Sequence, residues 1–233
     1  MQLLTVDTET SGMDPSKDGI VEMAGVWRSG DALRFYTSVC NPGVPVEPDA
    51  RAAHHITDAE IAASPAPLHC LHKMIAEHGS AAHDRIYVAH NASFDRSFFQ
   101  RLSESMGIVN RWICTWRCAM HLWPDAPSYK NQTLRYYLEL EPDIPTGMGL
   151  HAHRALYDAI VTEEILQAML RQRRIEELIA LSQSPVLLKK VGFGKHRGDL
   201  WERVPTSYLQ WIVRQSEMDE DTLHTARYYL RAR

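Results

Sequence analysis

No stretch of this chain approaches the ~20 consecutive apolar residues that a helical bilayer span requires, so a membrane partner is not expected. The start, MQLLTVDTET, lacks a basic segment followed by an apolar one and a small-residue cleavage site, which argues against a secretory leader. Cysteine is scarce. Cys40, Cys70, Cys114 and Cys118 are irregularly spaced and form no disulfide framework, so reduced, mostly buried thiols and a cytoplasmic location are expected. Two runs hold zinc-type donors, Cys114-x3-Cys118-x2-His121 and HCLH at 69–72, but neither has the second pair that a tetrahedral site needs. Repeats and low-complexity tracts are absent. Positive charge is not in excess either: the formal net charge is −4, without the basic footprint that binding to a nucleic-acid backbone usually leaves.

That last absence is uneven. Residues 1–170 carry 13 Lys+Arg against 21 Asp+Glu, whereas residues 171–233 carry 12 against 8. An acidic front part suits a domain that gathers divalent cations, which then attract phosphate; simple surface solubility accounts for the split equally well. At 233 residues, with 45% hydrophobic and 23% charged, the chain suffices for one packed domain and a smaller second one.

Patterning gives the order of elements. LLTVDTE, IVEMAGVWRS and LRFYTSVCNP read as three strands of an antiparallel meander, followed by the Pro-rich NPGVPVEPDA as a loop. Helical pieces interrupted by Pro65 and Pro67 come next, then the buried-type strand RIYVAH. NASFDRSFFQRLSESMG is a predicted helix with Phe94, Phe98 and Leu102 on one face and Gly107 as its stop. WICTWRCAMHLWP supplies another strand and helix, NQTLRYYLELE a short helix, and HRALYDAIVTEEILQAMLRQ a long one. A meander followed by alternating strands and helices predicts an α/β or α+β three-layer domain over 1–170. Residues 171–188 read as a linker with its own helix, and 189–233 as a small basic and aromatic C-terminal module.

The chemistry lies in the carboxylates. Asp7 and Glu9, two apart on a buried strand, leave the same face. Two interior acids side by side are costly unless a cation sits between them. Asp95 falls on the first turn of a helix that follows a strand, where a side chain projects over a sheet end; stabilisation of an acid by the helix dipole explains it equally well. His153 and Asp158 are five apart, about 500° on an ideal helix, so they share no helical face. They converge if His153 sits in the loop just before the helix, with Gly147 and Gly149 making an exposed approach.

Together these residues resemble one family. Asp-x-Glu-Thr-Ser-Gly on the first strand, His-Asn-x-x-Phe-Asp in the middle and His-x-Ala-x-x-Asp near the end are similar to the motifs of DEDDh 3'–5' exonucleases, with all five motif positions intact over residues 1–170. YVAHNASFDR, WICT followed by LWP, and LHAHRALYDA look like the exodeoxyribonuclease X branch. The resemblance implies a ribonuclease-H-like fold with a five-stranded mixed sheet. It also implies two Mg²⁺ ions, with Mn²⁺ as substitute, held by Asp7, Glu9, Asp95 and Asp158 and flanking the scissile phosphate ~4 Å apart. His153 is then the general base, a task that needs a near-neutral proton affinity, and 5'-mononucleotides are the product.

Substrate contacts implied by the same resemblance are Thr8, Thr10, Ser11 and Met13, then His54 and Ile56 from HHIT, then His90, Asn91 and Phe94, with helix capping as the other role for Asn91. The segment FGKHRGDLWERVPTSYLQWIV resembles the C-terminal part of such nucleases. Its Lys195, His196 and Arg197, with Lys189 and Lys190 just before it, could grip nucleic acid, or its aromatics could simply be core. The expected partner is a DNA 3' end, single-stranded or duplex, in repair or end trimming. RNA as substrate, a polymerase proofreading role and a homodimer stay open, and a non-catalytic nucleic-acid-binding module would require loss of at least one motif residue.

Overall fold

The computed structural model describes residues 1–102 and 111–233; the expected helix stop at Gly107 lies outside them. Strands β1 (Gln2–Thr10), β2 (Ile20–Ser29), β3 (Ala32–Val39), β4 (Arg85–Ala89) and β5 (Arg111–Cys114) form one sheet in the order β3-β2-β1-β4-β5. The meander is antiparallel, and β4 and β5 add in parallel to β1, giving the five-stranded mixed sheet that the resemblance implies.

The alternation along β1 divides its residues between two layers. Leu4 and Val6 join Met23, Tyr87, Phe98, Phe99 and Trp112 on the face covered by α3 (Pro67–His78) and α4 (Ala92–Leu102). Burying each aliphatic side chain there is worth about 1.5–3 kcal/mol. The opposite face receives α7 (Ala155–Leu170), whose Ala155, Leu156, Ala159 and Ile160 pack on Ala24 and Val26. Four small or aliphatic residues let this helix lie close to the strands. On the first face, Gly25 does the same for α3: a Cβ there would meet Met74 Sδ at 2.6 Å.

Beyond β5 the chain continues as α5 (Thr115–Leu122), α6 (Asn131–Tyr137) and, after α7, α8 (Ile175–Gln183). Leu178 of α8 is fully buried with Ile113 and Cys118, and Ser182 Oγ accepts the Cys114 N–H of the edge strand at 2.8 Å. Further on, α9 (Thr206–Val213) and α10 (Glu220–Arg231) close around Val191, Trp201, Val204, Leu209, Ile212 and Ala226. Trp201 is core, whereas Trp211 stays exposed and stacks on Tyr208. Arg117 of α5 clasps Asp221 of α10 with two hydrogen bonds of 2.9 and 3.0 Å.

One segment differs from its sequence reading. NPGVPVEPDA was expected to be loop throughout, yet α1 (Pro48–His54) begins inside it. Pro48 occupies the first helical turn, where a missing N–H costs nothing, and Asp49 faces the positive end of the dipole. The next piece, α2 (Asp58–Ala62), starts from a reciprocal cap between Thr57 and Glu60.

Candidate active site

β1 carries the first two acids to the C-terminal end of the sheet, and its register against β2 slips between Glu9 and Thr10. Such an irregularity ends regular pairing and re-aims side chains at the rim. Across the ladder Glu9 pairs with Glu22, two like charges that would repel. Arg154 resolves this with two hydrogen bonds to Glu22, at 3.0 and 2.8 Å, and Glu22 also accepts the Ala155 N–H at the start of α7. Glu22 is 2% exposed, so it fixes the beginning of α7 against β2 from inside the protein.

Asp158, one turn into α7, then meets β1. Ligand atoms of Asp7, Glu9 and Asp158 all lie within 4.8 Å of one another, and each of the three residues is half-buried. Asp158 is oriented by Gln132 Nε2 at 2.9 Å and by the His153 N–H at 2.8 Å. Asp95, 3% exposed on the first turn of α4, accepts the Thr8 hydroxyl at 2.8 Å. His153 sits two residues ahead of α7 in the left-handed region (φ 66°), which lets its amide turn back to Asp158 while its ring borders the cleft. Holding a non-glycine residue there costs on the order of 1 kcal/mol and is met mainly at functional positions.

With so many acids together, their proton affinities rise. Burial, then Asp95, Asp158, Glu9 and Glu22, push Asp7 well above the usual carboxylate range. Burial followed by Asp158 and Glu22 raises Glu9 to about 8, against a small opposing pull from Arg154. Burial raises Asp95 to about 7 despite the Thr8 hydrogen bond, and Asp158 is raised by burial too. Repelling, partly accessible hard oxygen donors are what a divalent cation would neutralise, and the donor set fits Mg²⁺ or Mn²⁺ better than a thiophilic metal.

A stability prediction follows. Folded carboxyls with raised proton affinity keep protons that the unfolded chain gives up, so the metal-free fold is most stable below about pH 4.5 with respect to Glu9. That contribution is lost as pH rises through about 8, and the Asp95 contribution as it rises through about 7. Thermal melts of metal-free protein from pH 5 to 8.5 should therefore fall with pH, and millimolar Mg²⁺ should restore the loss at the alkaline end. A flat metal-free profile would overturn the raised proton affinities of Glu9 and Asp95.

Above the acids opens a cleft of about 670 Å³. Of the substrate contacts read from the sequence, Thr8, Thr10, Met13, His54, Asn91 and Phe94 line it. Met13 is 79% exposed at the rim. His54 Nδ1 accepts the Ile56 N–H, which leaves Nε2 to carry the proton with no acceptor among the described residues.

Three other expected contacts do not reach the cleft wall. Ile56 is 1% exposed against Val21 and Ile61. Ser11 is fully buried and holds the turn by accepting the Gly19 N–H at 3.0 Å. His90 spends both ring nitrogens inside the protein, on Thr115 Oγ1 at 2.9 Å and the Tyr129 carbonyl at 2.7 Å, and burial lowers its pKa to about 4.

Sequence reasoning missed Glu22, Arg154 and Gln132, as well as Glu47, Asp49, Ala50 and Ala53, which complete the wall from α1 and the residue before it. An acid inside the apolar run IVEMAG was the available signal for Glu22.

Comparison with known proteins agrees with this geometry. A family model described as exonuclease matches residues 4–166. Exodeoxyribonuclease 10 of Escherichia coli K12 is 34% identical over 98% of this chain and 98% of its own. The DNA polymerase III subunit epsilon of Treponema pallidum (strain Nichols) is 26% identical over 79% of this chain and 85% of its own. Among solved structures, exonuclease X in complex with 5' overhanging duplex DNA superimposes with a TM-score of 0.63 and 32% identity, covering 77% of this chain and 99% of that one.

Proposed function

The chain belongs to the DEDDh exonuclease family, whose members are divalent-metal-dependent 3'–5' exonucleases, and on that premise we propose that its substrate is DNA, trimmed from 3' ends to 5'-mononucleotides. The observation that carries the reading is the meeting of Asp7, Glu9 and Asp158 within 4.8 Å, beside buried Asp95, under a cleft rimmed by His153. DNA is preferred over RNA because the relative that spans nearly the whole chain is an exodeoxyribonuclease. Repair or end trimming in the cytoplasm is the proposed setting.

In this mechanism Asp7, Glu9, Asp95 and Asp158 hold two divalent ions, Mg²⁺ in preference to Mn²⁺. When bound, such ions offset the charge of the scissile phosphate and make a nearby water more acidic. The protein does the rest. Phe94, Met13, Ala50 and Ala53 give the cleft apolar surface for the terminal nucleoside, and the His54 N–H meets an oxygen of it. The His153 imidazole accepts the proton of the attacking water as its oxygen bonds to phosphorus. The bond from phosphorus to the 3' oxygen of the preceding nucleotide breaks, so the phosphate leaves on the released residue and solvent protonates the new 3' end. We further propose a nuclease body at 1–170, a connecting stretch at 171–188 whose helix packs on that body, and a module at 189–233 with its own apolar centre.

The test is a 5'-labelled DNA oligonucleotide incubated with Mg²⁺, with and without a chelator. A ladder of shortened labelled strands with released mononucleotides, abolished by the chelator, is the expected result. Faster degradation of the matched RNA would keep the chemistry and overturn the choice of DNA. Activity that survives the chelator would overturn the metal reading.

A further inference from the structure

Next to the cleft, outside the C-terminal end of β5, is a second hollow of about 270 Å³, and Asn91 lines both. Crevices at the carboxyl ends of sheet strands are where α/β proteins gather ligands. Unlike the cleft, which includes Glu9, Glu47 and Asp49, the hollow has no carboxylate in its lining.

Several of its features favour an anion joined to an aromatic group. Ser93, at the start of the 11-residue helix α4, lines it, and first-turn amides have no acceptor inside their own helix. Arg96, one turn along, is exposed and makes no ion pair among the described residues. Trp112, only 5% exposed, forms part of its wall, with its indole N–H sealed inside and no acceptor for it among the described residues. Trp116 is half-buried and offers a ring against which a planar base can lie. Arg117, by contrast, is committed to Asp221 and the Ser184 carbonyl.

We propose that this hollow is a nucleotide subsite for the retained strand. It takes a phosphodiester at Arg96 and the attached base against Trp116, while the terminal nucleotide occupies the cleft. The subsite rests on the exonuclease reading and deepens it: the enzyme grips the strand it keeps as well as the residue it removes.

Two substrates separate the sites. The p-nitrophenyl ester of thymidine 5'-monophosphate fills only the cleft, whereas a thymidine oligonucleotide reaches the hollow. Arg96→Ala and Trp116→Leu should each raise KM for the oligonucleotide about tenfold, with kcat little changed. Neither should alter hydrolysis of the ester, which also shows that the variants are folded. Arg96→Ala should weaken the salt dependence of the oligonucleotide KM by about one charge, and Arg96→Lys should recover part of the binding. An unchanged oligonucleotide KM, or an equal change on both substrates, would overturn the subsite. A wild-type protein inactive on both would overturn the exonuclease reading and the subsite with it.

Discussion

Replacing Asp7 by asparagine is expected to cut turnover by about 10³-fold or more while making the metal-free protein more stable at pH 8. The first effect follows from losing a charged oxygen ligand, with several kcal/mol of transition-state charge stabilisation behind it. The second follows from the crowding of acids. Burial and the carboxylates of Asp95, Asp158, Glu9 and Glu22 all oppose ionisation of Asp7, so a neutral group of the same shape relieves strain there. A gain on the order of 1 kcal/mol is typical for such relief at a functional position. The size of the gain depends on pH. Because burial and the neighbouring acids raise the proton affinity of Asp7, the gain should shrink as pH falls, and the two proteins should melt closer together at pH 5 than at pH 8. Paired melts at the two pH values, with an oligonucleotide assay, decide it. Substantial residual hydrolysis would remove Asp7 from the metal site, and equal destabilisation at both pH values would show that it is held by packing.

Substituting His153 by alanine should lower kcat by about 10²–10⁴-fold, the usual contribution of a general base. KM and the thermal shift on adding Mg²⁺ should stay close to wild type. This separation is expected because His153 reaches Asp158 through its backbone N–H, at 2.8 Å, so truncating the ring leaves the carboxylate oriented. The backbone allows a second variant. With φ at 66°, the position favours glycine, so His153→Gly should be as inactive as the alanine variant and no less stable than wild type. Near-normal kcat in either variant would assign the water's proton to another group. A lost Mg²⁺ shift would show that the ring helps hold the site together.

Much of the frame could be read from local pattern. The meander, the buried strand RIYVAH and the long helix follow from the periods of apolar residues, and each lies where its period puts it. The acids were legible because interior carboxylates are rare and need a partner. What escaped were pairings across long separations. Arg154 and Glu22 stand 132 residues apart, and no spacing rule joins them. Thr5 and Glu163, 158 apart, form another buried contact of this kind. Ser11, Ile56 and His90 lie away from the cleft wall for a local reason. Ser11 and His90 adjoin cleft residues in sequence and Ile56 lies two beyond one, yet the fold turns these three side chains to partners inside the protein. His90 carried no local sign that a carbonyl 39 residues away would occupy it.

The hydrogen bond from the Cys114 amide to Ser182 bears on where the catalytic unit ends. A border strand with free amides invites pairing by any passing chain, and β5 is only four residues long, with one of its donors already claimed from 68 residues away. The family signature stops at residue 166, well short of that serine. The part matched by the family model is therefore shorter than the part that packs together, whereas the likeness to exodeoxyribonuclease 10 runs over 98% of the chain. A fragment cut at residue 166 would keep the signature carboxylates and lose the guard on its outer strand. A fragment made to fold by itself is expected to need the chain at least through Gln183, the last residue of α8.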